Sequence, residues 1–494
     1  MENTTNDPKQ EQKQDPPERP SHILEAPEAV LSTMNKDGTR KWMYPKLSKG
    51  SMYTRRKIVG WILIALFFAL PIVKMNGEPA MFLDIVHRRF AIFGQIFYAT
   101  DTLLLMLLGL TLVISVVWAT ALFGRVWCGW GCPQTVYMEF IFRPIERLVE
   151  GTEAQRKRRD KQGWTPDKVW RTAVKLFLYT IIAAAMSHTF VAYFVSWDVL
   201  TSWMTGAPSK HWGFFLMMGI TTALIVFDFA YFREQMCTIA CPYARLQSVL
   251  MDPDSLIVSY DPSRGETRGR RTKAQREQEK QGIKLKNLGD CIDCGACVRT
   301  CPTGIDIRDG LQLECISCTQ CIDACDAIMI GVGKEPGLVR YTSENKIDNK
   351  PSRILRPRLV LYTGLLVLFS SVLLYLVTHA SMFDINMMRA TDKPFTVLPD
   401  GQVSNHFKMR TQNRIGSSQD LQVTVIEPEG AVIKAQNDAK FTLKPGQMKY
   451  IDLWIVSPNE VFKSGQSTAK LRVSNGSGAE QIIEHKMLGP VSAK

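Results

Sequence analysis

No cysteine lies after residue 380 of the 494-residue sequence, although the chain contains twelve. Disulfides persist in extracellular domains, whereas thiols in the cytosol stay reduced. A disulfide-stapled outer domain is therefore excluded, and the cysteines are expected to be metal ligands or redox groups. The sequence also lacks a C-x-x-C-H motif, which excludes the usual covalent attachment of haem.

Charged residues are scarce in five stretches that are long enough, or nearly so, to cross a bilayer as a helix of about 20 residues. The predicted spans are residues 58–73, 102–123, 176–195, 212–232 and 359–378. Basic residues cluster before the first span, between the second and third, and after the fourth. Because cytoplasmic loops are rich in Lys and Arg, we expect the N-terminus inside and the C-terminus outside. The net charge of +13 then reflects topology and attraction to membrane lipid, and no nucleic-acid partner is expected.

Composition divides the chain into five parts and predicts a multi-domain membrane protein. These are a disordered cytoplasmic tail without a cleavable signal peptide (1–50), a four-span α-helical membrane domain (51–250), an inserted cytoplasmic domain (251–350), a fifth transmembrane helix (351–380) and an outer domain (381–494). The tail is polar and Pro-rich, which is typical of disorder. The outer domain has short stretches with many β-branched residues between turn residues, which predicts an all-β, immunoglobulin-like sandwich.

The inserted domain contains two copies of one cysteine pattern. "CIDCGACVRTCPTG" and "CISCTQCIDACDA" both have the spacing C-x2-C-x2-C-x3-C. This is the pattern of bacterial two-cluster ferredoxins, in which the fourth cysteine of each motif binds the other cluster. Paired zinc sites are the alternative, but zinc ligands usually form two close pairs. Asp326 follows Cys325 where a ferredoxin usually has Pro, so the sequence does not determine the conformation of the turn after Cys325.

We therefore predict an α+β ferredoxin domain with two [4Fe–4S] clusters. The first would be bound by Cys291, Cys294, Cys297 and Cys325, and the second by Cys315, Cys318, Cys321 and Cys301.

Two further cysteine pairs follow the second and fourth spans. "CGWGCPQTVY" contains Cys128 and Cys132, and "CTIACPYARL" contains Cys237 and Cys241. If these spans pack together, four thiolates converge at the cytoplasmic face of the membrane. Such a site could hold a soft metal ion, another cluster or a redox dithiol. The alternative is four buried cysteines that act as small hydrophobic residues.

Other residues are weaker candidates. Asp228 and His188 are ionisable within predicted spans, where such residues are functional hypotheses by default. Structural pairing is the simpler interpretation of Asp228, and haem binding by His188 would need a second axial ligand. Met382, Met387 and Met388 follow the fifth span and could bind Cu(I), although ordinary packing is the simpler interpretation of them.

The order of these parts resembles the membrane polyferredoxins, and more narrowly the cytochrome c oxidase accessory family called CcoG, FixG or RdxA. The resemblance rests on "WCGWGCPQTVYMEFIFRPIE", "CTIACPYARLQSVLMD", the ferredoxin pair, the fifth span and the outer β domain. It implies a multi-pass protein of the bacterial inner membrane, with a periplasmic C-terminal domain, that reduces Cu(II) to Cu(I) for assembly of the cbb-type oxidase. It also implies Cys128, Cys132, Cys237 and Cys241 as the catalytic and copper-binding cysteines.

The expected partners are then copper ions as substrate, copper chaperones, oxidase assembly factors and membrane lipid, together with an electron donor that the sequence does not identify. Two other functions stay open. The chain could relay electrons between the quinol pool and another respiratory protein, or it could be an assembly scaffold with structural or sensory clusters. The cytoplasmic position of all the cysteines favours the reductase over a relay, because no redox group is present outside.

Overall fold

The computed structural model describes residues 32–35, 37–75, 78–85, 89–93, 95–98, 102–281, 288–378, 383–413, 418–435, 439–444, 447–462, 464–475 and 480–490. The predicted disorder of residues 1–31 lies outside the described residues. The described α-helices are α1 (Ser51–Ala69), α2 (Thr102–Phe123), α3 (Val126–Trp130), α4 (Pro133–Tyr137), α5 (Arg143–Glu150), α6 (Glu153–Lys161), α7 (Pro166–Val195), α8 (Trp197–Met204), α9 (Trp212–Phe227), α10 (Pro242–Leu250), α11 (Pro262–Gly265), α12 (Lys273–Lys280), α13 (Ala296–Thr300), α14 (Gln320–Gly331), α15 (Glu344–Ile347) and α16 (Pro357–Thr378).

Four of the described helices are long and apolar enough to cross a membrane. They are Leu103–Phe123, Pro166–Val195, Pro208–Phe232 and Pro357–Thr378. Each coincides with one predicted span. The remaining predicted span, residues 58–73, falls on α1, which ends at Ala69 and carries Arg55, Arg56 and Lys57 near its start. These charges explain why α1 is not in the apolar group, since a charged side chain in a bilayer is costly.

The chain forms two compact units. The first contains the residues up to Ile64 together with Ile114–Ile181 and Leu224–Thr363. The second contains Ala65–Val113, Ile182–Ala223 and the residues from Gly364 onward. The chain therefore changes unit five times, and each change falls within a helix: α1, α2, α7, α9 and α16.

In the first unit, α1 is joined to the ferredoxin domain at its N-terminus. The first backbone N–H groups of a helix have no partner within the helix. Here the carboxylate of Asp323 in α14 accepts from the N–H groups of Met52 and Tyr53, at 3.1 and 2.7 Å. An acidic side chain at this position also complements the helix dipole. Asp323 lies between Cys321 and Cys325, so this cap ties α1 to a helix that carries two of the ferredoxin cysteines.

The described part of the predicted tail, residues 32–35 and 37–50, makes hydrogen bonds to the ferredoxin domain. The Lys46 N–H donates to the Arg299 carbonyl at 2.9 Å, and the Thr300 hydroxyl donates to the Lys46 carbonyl at 2.7 Å. Met43 is buried. Residues 43–48 thus run along the segment that carries Cys301. Polar, Pro-rich composition alone does not reveal such a contact, because it depends on the partner surface.

The ferredoxin domain is small and built around its cysteines. Strands Ile257–Tyr260 and Val339–Thr342 form an antiparallel pair, and α13 and α14 each begin within a cysteine motif. Buried apolar residues, among them Val258, Ile305, Ile307 and Met329, share one core with the cysteines. The predicted α+β architecture is confirmed.

The outer domain, in the second unit, consists of antiparallel β-sheets, as predicted. Its strands are Phe383–Arg389, Thr396–Val397, Val403–Asn413, Gln419–Glu427, Val432–Ala435, Lys440–Leu443, Met448–Ser457, Gln466–Asn475 and Glu480–Leu488. Alternate residues of Val403–Asn413 are buried, including Val403, Phe407 and Met409, because successive side chains of a strand point to opposite faces. These residues form a core with Leu421, Val423, Leu471 and Val473.

The second unit also contains short strands that the sequence did not predict. Lys74–Met75 pairs with Glu78–Pro79, and Met81–Asp84, Arg89–Ile92 and Gln95–Tyr98 form a three-stranded antiparallel sheet. Strands of two to four residues leave too little periodicity to be recognised.

Candidate functional site

The two ferredoxin motifs have matching backbones. The residue before the second cysteine has a positive φ in both copies, 49° at Asp293 and 52° at Ser317. The residue after it is also left-handed, with φ 63° at both Gly295 and Thr319. Turns between right- and left-handed conformations point successive N–H groups toward one concavity, which favours an anion such as an iron–sulfur cluster. Three non-glycine residues accept this strained conformation, which favours a functional interpretation.

The structure places the fourth cysteine of each motif with the other triplet. Cys325 lies within electrostatic range of Cys297, Cys294 and Cys291. Similarly, Cys321 has Cys318, Cys315 and Cys301 as neighbours. This arrangement matches the ligand sets that the sequence suggests.

A cavity lies among the cysteines of the second set. Its lining includes the second ligand set, Cys301, Cys315, Cys318 and Cys321, together with Cys297 of the first set and the apolar residues Val258, Ile305 and Ile307. The four thiols of the second set around a largely apolar cavity fit a cubane cluster, whose potential depends on burial and hydrogen bonding to the sulfurs. The donor set present therefore fits the cofactor.

Asp326 replaces the proline of the ferredoxin pattern without breaking the local structure. It lies within α14, and its carboxylate accepts from the Gly337 N–H at 2.7 Å. The helix thus continues past Cys325, and Asp326 fixes the following loop.

The two C-x-x-x-C-P segments also share a local structure. Cys132 directly precedes α4 and Cys241 directly precedes α10, both in an extended conformation. Pro133 and Pro242 occupy the first helical position, where the missing N–H costs nothing and the fixed φ suits the helix. Proline therefore starts a new helix after each pair, and each second cysteine lies at the break.

Side chains of the second segment bring the two pairs together. The Cys128 thiol donates to the Gln247 side-chain carbonyl at 2.9 Å, and Gln247 in α10 is fully buried. The Gln247 amide in turn donates to the Tyr243 hydroxyl at 2.7 Å. Cys128, Cys237 and Tyr243 belong to one buried cluster. Cys237 is close enough to Cys132, Cys128 and Cys241 to interact with each of them electrostatically, so all four thiols are neighbours.

Side chains of the first segment reach back in the same way. The Gln134 amide donates to the Arg233 carbonyl and to the Asp228 carboxylate, both at 3.1 Å. Arg233, just before the second pair, forms a bidentate ion pair with Glu146 of α5 at 2.7 and 3.2 Å. Both side chains are about 5% exposed or less. Polar contacts in both directions therefore fix the spacing of the two segments.

The four C-x-x-x-C-P thiols are largely shielded from water. Burial raises the pKa of Cys128 and of Cys237 to about 12, so these groups are neutral thiols at neutral pH unless a cation binds them. Among the residues that the structure describes, no group of three or more His, Cys, Asp or Glu is positioned to hold a metal ion. The ferredoxin cysteines do not form such a group either. In a cubane cluster each thiolate binds a different iron, so the four cysteines need not meet at one ion.

Two buried arginines connect this site to the ferredoxin domain. The Arg56 Nε donates to the Gly129 carbonyl at 2.7 Å, and its Nη1 donates to the Cys318 carbonyl at 3.3 Å. Arg125 donates to the carbonyls of Leu313 and Cys315, the latter at 3.1 Å. The loop of residues 313–318 is therefore held against the first C-x-x-x-C-P segment.

The remaining candidates have structural partners. Asp228 accepts from Gln134, as described above. His188 contacts the Trp197 ring edge-on, with ring centroids 4.8 Å apart. Met387 is buried in the outer core, Met388 is exposed, and Met382 lies outside the described residues.

Sequence reasoning missed four polar side chains that hold the site: Gln134, Gln247, Arg233 and Glu146. The available signal was local. Gln134 and Gln247 lie within or just beyond the quoted cysteine segments, and polar residues next to an apolar span deserve a partner.

Comparison with known proteins shows the same parts in the same order. A "4Fe-4S binding domain" model matches residues 105–151, and a "4Fe-4S dicluster domain" model matches residues 232–344. Residues 373–490 match the "IG-like fold at C-terminal of FixG".

Three curated proteins are similar over most of their length. The nitrogen fixation protein FixG of Rhizobium meliloti is 28% identical, and the alignment covers 90% of this chain and 92% of that protein. RdxA and RdxB of Cereibacter sphaeroides are 31% and 32% identical, and each alignment covers 78% of this chain and 82% of the relative. With its apolar helices, its dicluster domain and its FixG-type outer domain, the chain belongs to the FixG/RdxA family of membrane iron–sulfur oxidoreductases.

Proposed function

We propose that this chain is a cupric reductase, which reduces Cu(II) to Cu(I) at Cys128, Cys132, Cys237 and Cys241. The observation that carries the proposal is the meeting of the two C-x-x-x-C-P pairs beside the ferredoxin loop of residues 313–318. Four soft thiols lie next to a two-cluster domain, and thiolates favour Cu(I) over Cu(II). A site that binds Cu(I) tenfold more tightly than Cu(II) raises the potential of the couple by about 59 mV.

The chain's own residues perform three tasks in this proposal. The eight ferredoxin cysteines hold two [4Fe–4S] clusters, which when bound supply single electrons at low potential. The C-x-x-x-C-P cysteines bind the copper ion as thiolates, and their protons are released to water. Gln247 and Tyr243 line this site, and the contact of Gln247 with Cys128 orients that thiol.

The proposal is tested directly with purified protein under anaerobic conditions. The protein is reduced with dithionite, freed from excess reductant by desalting, and mixed with Cu(II) and a Cu(I)-specific chelator. We expect about one Cu(I) for each electron stored in the clusters. Formation of no more Cu(I) than in desalted buffer alone would exclude cupric reduction.

A third cluster is the second candidate for the C-x-x-x-C-P site. The specific observation is the 4Fe–4S model that matches residues 105–151, a segment with only Cys128 and Cys132. Cys237 and Cys241 would complete four ligands. This site would then pass electrons onward, as in a relay, and copper would bind elsewhere.

Iron analysis separates these two occupants. If the site is reserved for copper, we expect about eight irons and eight sulfides per chain, because a ferredoxin pair has two four-iron clusters. About twelve irons would assign a third cluster to the C-x-x-x-C-P cysteines. Zinc in place of iron would contradict the ferredoxin assignment altogether.

The membrane topology is part of the proposal. We propose that α1 is a fifth span of the bacterial inner membrane, with the N-terminus and ferredoxin domain in the cytoplasm and the outer domain in the periplasm. The basic residues before the first span, between the second and third, and after the fourth support this orientation. Arg56 is buried and hydrogen-bonded, and Arg55 and Lys57 precede the predicted span of residues 58–73, so these charges do not prevent insertion of α1.

Protease accessibility tests the topology. Protease added to intact spheroplasts should remove the domain after residue 380 and leave the ferredoxin domain intact. Cleavage within the ferredoxin domain, with protection of the outer domain, would reverse the orientation of every cysteine.

The biological role that we propose is supply of Cu(I) for assembly of a cbb-type oxidase, with copper chaperones and assembly factors as partners. This role is what the family resemblance implies, and the resemblance rests on the two C-x-x-x-C-P segments, the ferredoxin pair and the outer β domain. An assembly scaffold with structural clusters would instead show no reduction of Cu(II) and a normal cluster content.

A further inference from the structure

We propose that the ferredoxin domain faces the C-x-x-x-C-P site through one of its two cluster sites only, and that Gly129, Arg56 and Arg125 are the positioning residues of this contact. The site in question is that of Cys301, Cys315, Cys318 and Cys321. This inference rests on the proposed function, because it specifies from which side electrons reach the copper site.

Gly129 packs directly against the backbone of the ferredoxin loop. A Cβ atom added at Gly129 would lie 2.6 Å from the Ile316 carbonyl oxygen and 2.7 Å from that of Ser317. These are backbone atoms of the loop between Cys315 and Cys318, so no side-chain rotation can relieve the overlap. Glycine therefore allows the first C-x-x-x-C-P segment to contact the cluster-binding backbone directly. This explains the small residue immediately after Cys128.

Hydrogen bonds connect the first C-x-x-x-C-P segment to one of the two cluster sites. Arg56 links the Gly129 carbonyl to the Cys318 carbonyl, and Arg125 reaches the Cys315 carbonyl. Trp130 adds a third link, since its indole N–H donates to the Tyr341 hydroxyl at 3.2 Å and that hydroxyl donates to the Ser317 carbonyl at 3.0 Å. All these links end on residues 315–318.

Two buried positive charges lie beside the same cluster site. Arg56 and Arg125 are 1% and 4% exposed, and neither forms a salt bridge with a described residue. Their nearest acceptors are neutral carbonyls, although Glu139, which is paired with Arg143, lies within range of Arg56. By contrast Arg308, near Cys297 of the other set, is neutralised by Asp306 and Asp293.

Positive charge stabilises the reduced, more negative form of an iron–sulfur cluster, because net charge and hydrogen bonds set its potential. The two arginines therefore raise the potential at the site of Cys315 and Cys318 relative to the other site. One electron leaves that site for each Cu(II) ion converted to Cu(I), and a low-potential one-electron donor, dithionite in the experiment, replaces it.

The test compares two glycines of the same motif in the full-length protein. In Gly129→Ala the new methyl group must push the loop away. In the control Gly131→Ala the three atoms nearest to the new methyl group all belong to the ring of Trp127, a half-exposed side chain that can move. Iron content, EPR-monitored redox titration and single-turnover Cu(II) reduction are measured for both variants and the parent.

We expect Gly129→Ala to retain its iron, to shift the midpoint potential of one EPR component, and to reduce Cu(II) on the order of tenfold more slowly. A displacement of about 1 Å can cost about 100-fold in rate, and the contact here is shifted by less. Gly131→Ala should match the parent. The component that shifts must be the one that also responds to Cys318→Ser. A response shared instead with Cys294→Ser, or unchanged potentials in Gly129→Ala, would overturn the inference.

Trp130→Phe provides a milder second variant if Gly129→Ala does not fold. Phenylalanine keeps an aromatic ring at this position but lacks the indole N–H that donates to Tyr341, so the same EPR component should shift by a smaller amount. No shift in that component would also overturn the inference. Because the redox titration does not involve copper, a parent protein that fails to reduce Cu(II) would refute the proposed function without affecting this result.

Discussion

Replacement of Cys128 and Cys132 by serine should abolish Cu(II) reduction while the two ferredoxin EPR signals remain. Serine replaces soft thiolates with hard hydroxyl groups that stay protonated at neutral pH, so the preference for Cu(I) is lost. Loss of an outer partner of a metal ligand already costs about 10- to 100-fold, and we expect loss of two ligands to cost more. Single-turnover Cu(II) reduction and copper binding measure the effect.

The second pair gives an internal check. Cys237→Ser with Cys241→Ser should have the same effect, and the variant with all four changes should be little worse, since members of one site are not additive. Met388→Leu is the matched control, because it removes an exposed soft sulfur from the outer domain and leaves the cysteines intact. If the four-serine variant reduces Cu(II) at the parent rate, copper chemistry belongs elsewhere, and the methionines become the next candidates.

The second large effect concerns stability. Glu146 lies between Arg233 and Arg156, with 2.7 Å contacts to both, and all three side chains are about 5% exposed or less. Removal of one partner of a buried ion pair costs about 3–5 kcal/mol, because the remaining charges stay buried without compensation. Glu146→Gln should therefore lower the melting temperature of the purified protein strongly.

The pH dependence follows from the same contacts. Burial alone would raise the pKa of Glu146, but Arg233 and Arg156 outweigh it and lower the pKa to about 2. A carboxylate with a lowered folded-state pKa stabilises the protein above its unfolded pKa, and this contribution is lost as the pH falls toward the folded value. The shift from 4.5 corresponds to about 3 kcal/mol.

Thermal unfolding of parent and variant from pH 8 to pH 4 measures this. The difference between them should be constant from pH 8 to about pH 5 and begin to shrink only below about pH 4.5. Asp167→Asn is the control, since Asp167 is 55% exposed and its pairs with Arg159 and Arg171 are surface ion pairs worth at most about 1 kcal/mol. A difference that already declines between pH 8 and pH 6 would show that another group dominates.

The cysteine chemistry was predictable because ligand spacing is written locally in the sequence. Each triplet C-x2-C-x2-C places three ligands within one short loop. The apolar runs predict the membrane helices by their length alone. Even so, the sequence could not show that Asp293 and Ser317 have left-handed backbones, since neither is a glycine.

The contacts that join distant segments were not predictable. Gln247 meets Cys128 across 119 positions, and Arg233 meets Glu146 across 87. Such pairs depend on how helices pack, which hydrophobic periodicity does not specify. The contact of Lys46 with Thr300 escaped prediction for the same reason, because its partner lies 254 positions later.

The exchange of fourth cysteines between the two ferredoxin motifs links the loading of the two cluster sites. Cys301 leaves the first motif for the second site and Cys325 does the reverse, so neither site is complete until both motifs are folded. Filling one site orders a ligand of the other, and by thermodynamic reciprocity the second filling favours the first to the same extent. Maturation of this domain is then cooperative, and each site fills more readily once the other is occupied.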